Sequence, residues 1–367
     1  MPELVALDLD GGPAFVDALR RVWDDGDAAL PLDRRLSDQA RAELASRMGA
    51  SAVVTGEGRT VLDGGTPVEA GDALVVATSG SSGTPKGVVL THDAVEANAR
   101  ATSARIDLDP SVDHLLACLP LAHVGGLSVV TRALVTDTPL TVLPGFDADA
   151  VMDAARAGAS VVSLVPAVLD RIDTDAFRMI VLGGSAIPAD RPANSVATYG
   201  MTETGSGVVY DGVPVDGVEV RVVEGELQLR CPMLLRCYRD GTDPKTADGW
   251  YPTGDLGSYV DGVVKVEGRA DSVVITGGEN VHPEPVERRL EAHPAVAEAA
   301  VVGRADAEWG ERVVALLVPA SADRPVIDEL RDHVREALPA WCAPREVEWV
   351  GALPRTALGK LRRGELA

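Results

Sequence analysis

Aromatic side chains are scarce in this 367-residue sequence. Phe, Tyr and Trp make up only 4% of it, so a core must rest on Val, Leu, Ala and Ile. Positive charge is also short: 34 Lys and Arg stand against 56 Asp and Glu, a formal net charge of −22. That balance excludes nucleic acid and anionic membrane surfaces as partners, since both are bound through basic patches. Cys118, Cys231, Cys237 and Cys342 show no CxxC or other metal-ligand spacing. Four scattered thiols read as reduced side chains of a cytoplasmic protein, not as a disulfide framework. No apolar run approaches the ~18 residues a membrane span needs. The opening MPELVALDLDGG lacks the basic segment and apolar core of a signal peptide. Internal repeats and low-complexity segments are absent too.

What is present reads as two or more domains. Residues 1–70 are mixed, with amphipathic helical patches at 13–23 and 37–48. Short apolar runs at 73–77, 115–119, 139–143, 160–165 and 179–182 then alternate with stretches of helical composition at 94–105, 147–157 and 166–172. Such alternation implies an α/β fold, a largely parallel sheet covered on both faces. From 213 to 267 the period becomes two, and a small antiparallel unit is expected. Beyond a boundary at 268–272, a helix at 283–291, strand-like runs at 299–303 and 312–318 and a helix at 326–338 suggest a compact α+β domain. The expected division is 1–268 and 269–367.

The segment TSGSSGTPKGV (78–88) follows the apolar run 73–77. Glycine backbone, hydroxyls and one lysine on a loop leaving a buried strand can wrap donors and a cation around a polyphosphate. It is not a P-loop NTPase signature. Counting from Gly80, Pro85 stands where the second glycine belongs and Gly87 replaces the Ser or Thr.

This loop closely resembles the phosphate loop of the adenylate-forming superfamily, which comprises acyl- and aryl-CoA ligases, nonribosomal peptide adenylation domains and firefly luciferase. Further segments similar to that family follow in order: LPLAHVGG (119–126), LGGSAIP (182–188), YGMTET (199–204), YPTGD (251–255), GRADS with GGENVHPEPVE (268–287) and PRTALGK (354–360). The resemblance spans residues 78 to 363. It implies a large N-terminal domain of mainly parallel βα units with an antiparallel subdomain, and a small mobile C-terminal domain.

It also implies roles. Thr78, Ser79, Gly80, Ser81, Ser82, Gly83, Thr84 and Lys86 would hold the β- and γ-phosphates of ATP. Glu203 would bind Mg²⁺, since a hard cation prefers carboxylate oxygen. Thr202 would contact the α-phosphate. Tyr199 and Gly200 would face adenine, with Gly183, Gly184 and Ser185 on the base edge. Asp255 would accept from both ribose hydroxyls, and Arg269 would add a cationic contact. Lys360 resembles the lysine that bridges carboxylate and α-phosphate during adenylation, a task for a point charge on a flexible stem. Asp271 matches a hinge about which the C-terminal domain turns, and Gly277, Gly278, Glu279 and Asn280 match the segment that then lines the path of coenzyme A. Gly277-Gly278 reads equally well as an ordinary tight turn.

The acid is the remaining question. Only 77 residues precede the phosphate loop, fewer than in most members. This shortened form, with Ala/Val/Asp-rich composition, resembles the o-succinylbenzoate–CoA ligases of actinobacterial menaquinone biosynthesis. His123 matches a gate near the substrate carboxylate. Arg132 matches an arginine of those ligases, where a second carboxylate benefits from a fixed cation, or is a surface arginine on the helix after the His loop. Ser185, Gly205, Ser206 and Gly207 would line the pocket. Other aryl- or acyl-CoA ligases, a stand-alone enzyme loading a carrier protein and a non-catalytic nucleotide-binding relative stay open. A homodimer is the working expectation.

Overall fold

A computed structural model of the chain describes residues 1–78, 85–185, 187–322, 324–355 and 361–366. It divides into two compact units, Met1–Glu219 with Leu229–Tyr251, and Val220–Gln228 with Pro252–Ala367.

The first unit holds two seven-stranded sheets. In one, the strands run Cys237–Tyr238, Lys86–Thr91, Asp72–Thr78, Ala28–Pro31, Leu4–Leu7, Ala52–Thr55 and Gly58–Val61. Leu4–Leu7 pairs parallel with both of its neighbours, while Asp72–Thr78 and Lys86–Thr91 form an antiparallel pair. The first four of these strands in chain order come from the stretch read as mixed with helical patches. The patches themselves are helices, Pro13–Asp24 and Asp38–Arg47. The strands between them have four residues each, too short for periodicity to separate them from loop.

The second sheet runs Val213–Pro214, Gly207–Tyr210, Ser195–Gly200, Met179–Leu182, Val161–Leu164, Leu115–Ala117 and Leu140–Val142. The pairings from Ser195–Gly200 through Leu140–Val142 are all parallel. Leu115, Leu116, Val162, Ile180 and Leu182 of these strands are fully buried, each contributing about 1.5–3 kcal/mol. Residues 166–172 depart from the helical reading. They form a 3-10 helix, Pro166–Arg171, since so short a segment cannot recover the cost of nucleating an α-helix. Helix His92–Arg105 starts at Thr91, whose hydroxyl accepts from the Ala94 N–H at 3.1 Å, and packs on helix Val124–Thr136.

The second unit holds most of a four-stranded sheet of Glu219–Val223, Glu226–Arg230, Tyr251–Val260 and Val263–Arg269. It also holds a five-stranded sheet built on the long hairpin Val296–Asp306 and Gly310–Pro319. Helices Pro283–Glu291 and Ile327–Arg335 cover that hairpin through Val286, Leu290, Leu330 and Val334. By packing, the antiparallel strands group with the C-terminal part, an earlier division than the 268–272 read from the sequence. The reason is local: Val263–Arg269 contacts helix Pro283–Glu291, so packing does not break at Arg269. Among the described residues no helix is long and apolar enough to cross a membrane.

Candidate active site

Three of the motif segments follow the carboxyl ends of parallel strands, where an α/β sheet places ligands. In the second sheet, Leu115–Ala117 leads to His123, Met179–Leu182 to Gly183–Ser185, and Ser195–Gly200 to Thr202 and Glu203. In the first sheet, Thr78 ends one strand and lies opposite Lys86, which begins the next. The Thr78 hydroxyl donates to the Lys86 carbonyl at 3.4 Å. Ser79, Gly80, Ser81, Ser82, Gly83 and Thr84 lie outside the described residues, as does Lys360.

Lys86, one of four lysines in the chain, places its Nζ 4.9 Å from the centroid of the Tyr238 ring. The Tyr238 hydroxyl donates to Glu203 Oε1 at 3.0 Å and lies 3.4 Å from that of Tyr251. Burial first, then the nearby Glu203 charge, pushes the Tyr238 phenol up to about 12, against the hydrogen bond from Tyr251. Tyr238 therefore holds its proton at neutral pH. The turn bearing Glu203 is pinned on both flanks. Leu235 N–H donates to the Glu203 carbonyl at 2.7 Å. Asn98 donates to the Thr204 carbonyl at 3.0 Å and accepts from the Ser206 hydroxyl at 2.7 Å. Glu203 suits a hard cation shared with phosphate oxygens, which typically takes one or two carboxylates from the protein. Among the described residues no cluster of three or more His, Cys, Asp or Glu side chains could hold a metal by itself.

Glycine at two sites is dictated by strand approach. A Cβ on Gly200 would meet the Ser206 carbonyl oxygen at 2.2 Å, and one on Gly207 the Thr198 Cβ at 3.0 Å. Gly183 is similarly close to the Thr198 hydroxyl, 2.7 Å from a built Cβ. Gly205 takes φ +71, closing the turn after Thr204. Smallness at 200 and 207 therefore already serves packing, beside any room left for substrate.

His123 precedes helix Val124–Thr136 and meets the loop after Ala28–Pro31. Arg35 Nη2 lies 3.1 Å from its Nε2 and Asp33 Oδ2 3.4 Å away. Burial holds the imidazole below its ordinary range; Asp33 opposes this and Arg35 adds to it. The neutral ring then accepts from Arg35 through Nε2. Gly126 lets this helix start against the preceding strand end, since its Cβ would lie 2.3 Å from the Leu119 carbonyl oxygen. Gly126→Ala is expected to cost about 1–3 kcal/mol, read as a lower denaturant midpoint.

Arg132, on the same helix, is no surface residue. It is 2% exposed. Its Nη2 donates to Thr102 Oγ1 at 3.0 Å and lies 3.5 Å from the Tyr210 hydroxyl. Its Nε and Nη1 have no partner among the described residues.

In the second unit, Asp255 lies opposite Arg269 in the antiparallel ladder. Arg269 Nη1 is 3.3 Å from Asp255 Oδ1 and 2.9 Å from the Thr253 carbonyl, while its Nη2 is 3.3 Å from Asp271 Oδ2. Burial raises the Asp271 carboxyl, but bonding to Arg269 outweighs it and leaves the group below its usual range. Gly277 and Gly278 take φ +60 and +86, forming the turn of the hairpin Val274–Thr276 and Glu279–Val281, the conformation a two-residue connection prefers. Glu279 and Asn280 are exposed.

Tyr238, Asn98, Asp33 and Arg35 contact candidate site residues but were not singled out in the sequence, and Tyr251 was read only as part of YPTGD. Their contacts cross long separations and leave no local spacing signal.

Residues 63–238 match the AMP-binding enzyme family, and residues 285–360 the AMP-binding enzyme C-terminal domain. The chain is 39% identical over 324 residues to the probable 2-succinylbenzoate–CoA ligase of Mycobacterium tuberculosis, covering 80% of this chain and 83% of the relative. The solved o-succinylbenzoate CoA synthetase of Bacillus subtilis, in complex with its acyl-adenylate intermediate, superposes with a TM-score of 0.86 at 26% identity, covering 99% of this chain and 88% of that one. The same synthetase with ATP and magnesium ion gives 0.86 at 25%, covering 99% and 89%.

Proposed function

Because the chain belongs to the AMP-binding enzyme family, we infer that it ligates 2-succinylbenzoate to coenzyme A through an acyl-adenylate, a step of menaquinone biosynthesis. It is an AMP-forming acid–thiol ligase that uses ATP, Mg²⁺ and coenzyme A. A cytoplasmic location and a homodimer belong to the same reading. One observation carries the choice of acid: Arg132 is a buried guanidinium with two donor atoms unpartnered among the described residues, on the helix that starts at His123. A second carboxylate on the substrate supplies the acceptor that this cation lacks.

In the first half-reaction a carboxylate oxygen attacks the α-phosphorus of ATP, the bond to the bridging oxygen breaks and pyrophosphate leaves. Both reactants are anions, so the task is neutralisation. Lys86, with Thr78, Ser79, Ser81, Ser82 and Thr84, holds the departing phosphates. Glu203 would hold Mg²⁺, which would supply positive charge against the phosphates. Thr202 and Lys360 act at the α-phosphate. Gly183, Gly184, Ser185, Tyr199 and Gly200 hold adenine, and Asp255 and Arg269 the ribose. In the second half-reaction the thiol of coenzyme A attacks the acyl carbon and AMP leaves. Asp271 is the hinge, and Gly277, Gly278, Glu279 and Asn280 flank the thiol's path. His123 stands at the acid, with Ser185, Gly205, Ser206 and Gly207 around the ring.

Purified protein supplied with ATP, Mg²⁺ and coenzyme A is expected to consume thiol and release AMP with 2-succinylbenzoate. Turnover with benzoate or a fatty acid but none with 2-succinylbenzoate would remove the substrate assignment. Transfer to a carrier protein's thiol in preference to coenzyme A would make it a carrier-loading enzyme.

A further inference from the structure

Tyr238 occupies the two-residue strand Cys237–Tyr238 and pairs with Val88, two positions past Lys86. It is 9% exposed. One side chain meets two opposite charges: the face of its ring lies under the Lys86 ammonium, and its hydroxyl donates to Glu203. A phenol can do both, because its π-face is electron-rich and its O–H is a donor. No ion pair joins Lys86 to Glu203 in the described structure, although each is within contact of the same ring.

We propose that Tyr238 is a positioning residue that holds Lys86 and Glu203 apart and pre-aimed, so that the cation stays available to phosphate and the carboxylate to the metal. Without it, an ammonium and a carboxylate held against the same side chain are free to attract each other directly. Polyphosphate and metal would then have to break that pair before binding. Tyr251, whose hydroxyl lies 3.4 Å from that of Tyr238, also interacts with Glu203 and supports the carboxylate beside Tyr238. The inference rests on the assignment of Glu203 to the metal.

Tyr238→Phe keeps the ring and deletes the donor; Tyr238→Leu deletes both. ATP and AMP binding are measured by titration calorimetry across a range of Mg²⁺ concentrations. For Tyr238→Phe, the Mg²⁺ concentration that half-saturates ATP binding is expected to rise by about tenfold, the scale seen when a partner of a metal ligand is removed. AMP, which lacks the β- and γ-phosphates, is expected to bind within about twofold of wild type, a loss of order one weak contact at most. Tyr238→Leu is expected to weaken ATP binding in the absence of Mg²⁺ as well. An unchanged Mg²⁺ requirement in Tyr238→Phe overturns the proposal, and so does an equal loss of ATP and AMP affinity, the mark of general disruption. Glu203→Gln separates the two layers. If it raises the Mg²⁺ requirement and Tyr238→Phe does not, only the role of Tyr238 falls. If it leaves the requirement unchanged, the metal assignment falls and the proposal with it.

Discussion

Replacing Lys360 with alanine is expected to slow adenylate formation by roughly 10²–10³-fold, the cost of removing one preorganised donor at developing charge. Transfer of preformed acyl-adenylate to coenzyme A is expected to change little. The asymmetry follows from where charge develops. Adenylation brings a carboxylate against a phosphate, and an ammonium that touches both lowers that barrier. Thiol attack on the acyl carbon brings a neutral or singly charged nucleophile to an already activated ester, and the carboxylate is gone. The chain on either side of the lysine is anchored independently of it. Arg355 pairs with Glu298 at 2.5 Å. Arg363 donates to both oxygens of Glu287, at 2.7 and 2.8 Å, and to the Val301 carbonyl at 3.0 Å. Arg355 and Leu361 form a β-bridge. Lys360→Ala therefore removes a charge that none of these described contacts uses. Pyrophosphate release in a single turnover reports the first half, and thioester formed from synthetic adenylate the second. Equal losses in both would show that the lysine serves the site generally; no loss in the first would end its assignment.

The course of the chain through the second sheet was readable because buried parallel strands are continuous apolar runs, and 115–119, 160–165 and 179–182 each contain one. The amino-terminal strands were not readable. Ala28–Pro31 is fully paired and buried, yet it is two alanines, a leucine and a proline, residues with little strand preference of their own. Its place is set by the neighbours it joins. The same divide runs through the site. The residues proposed to touch the nucleotide lie in compact motifs, each a continuous segment that can be read along the chain. Residues that support them do not: Tyr238 reaches Glu203 across 35 positions, and Arg35 reaches His123 across 88. Those pairings exist only once the two sheets are formed. Composition changes at Arg269, while packing continues through it.

Arg132→Met offers the sharper test of substrate identity, because activity and stability are expected to move in opposite directions. Holding a guanidinium at 2% exposure with Nε and Nη1 unpartnered among the described residues costs folding free energy, since buried charge without full hydrogen bonding is poorly compensated. Methionine has similar length, fills irregular space and carries no charge. Substitution is expected to leave stability unchanged or raise it by about 1–4 kcal/mol. Catalysis should suffer instead. A dicarboxylic substrate deprived of its cation loses one partner of a buried charge pair, worth about 2–5 kcal/mol, so kcat/KM for 2-succinylbenzoate is expected to fall by about 30-fold or more. The KM for ATP should not follow, and a monocarboxylic aryl acid should lose nothing. Thermal unfolding and kinetics on the two acids decide the matter together. A variant that is less stable, with both acids affected equally, would make Arg132 a structural tie between Thr102 and Tyr210. A variant at least as stable that has lost only the dicarboxylate would identify the buried charge as a cost carried for recognition.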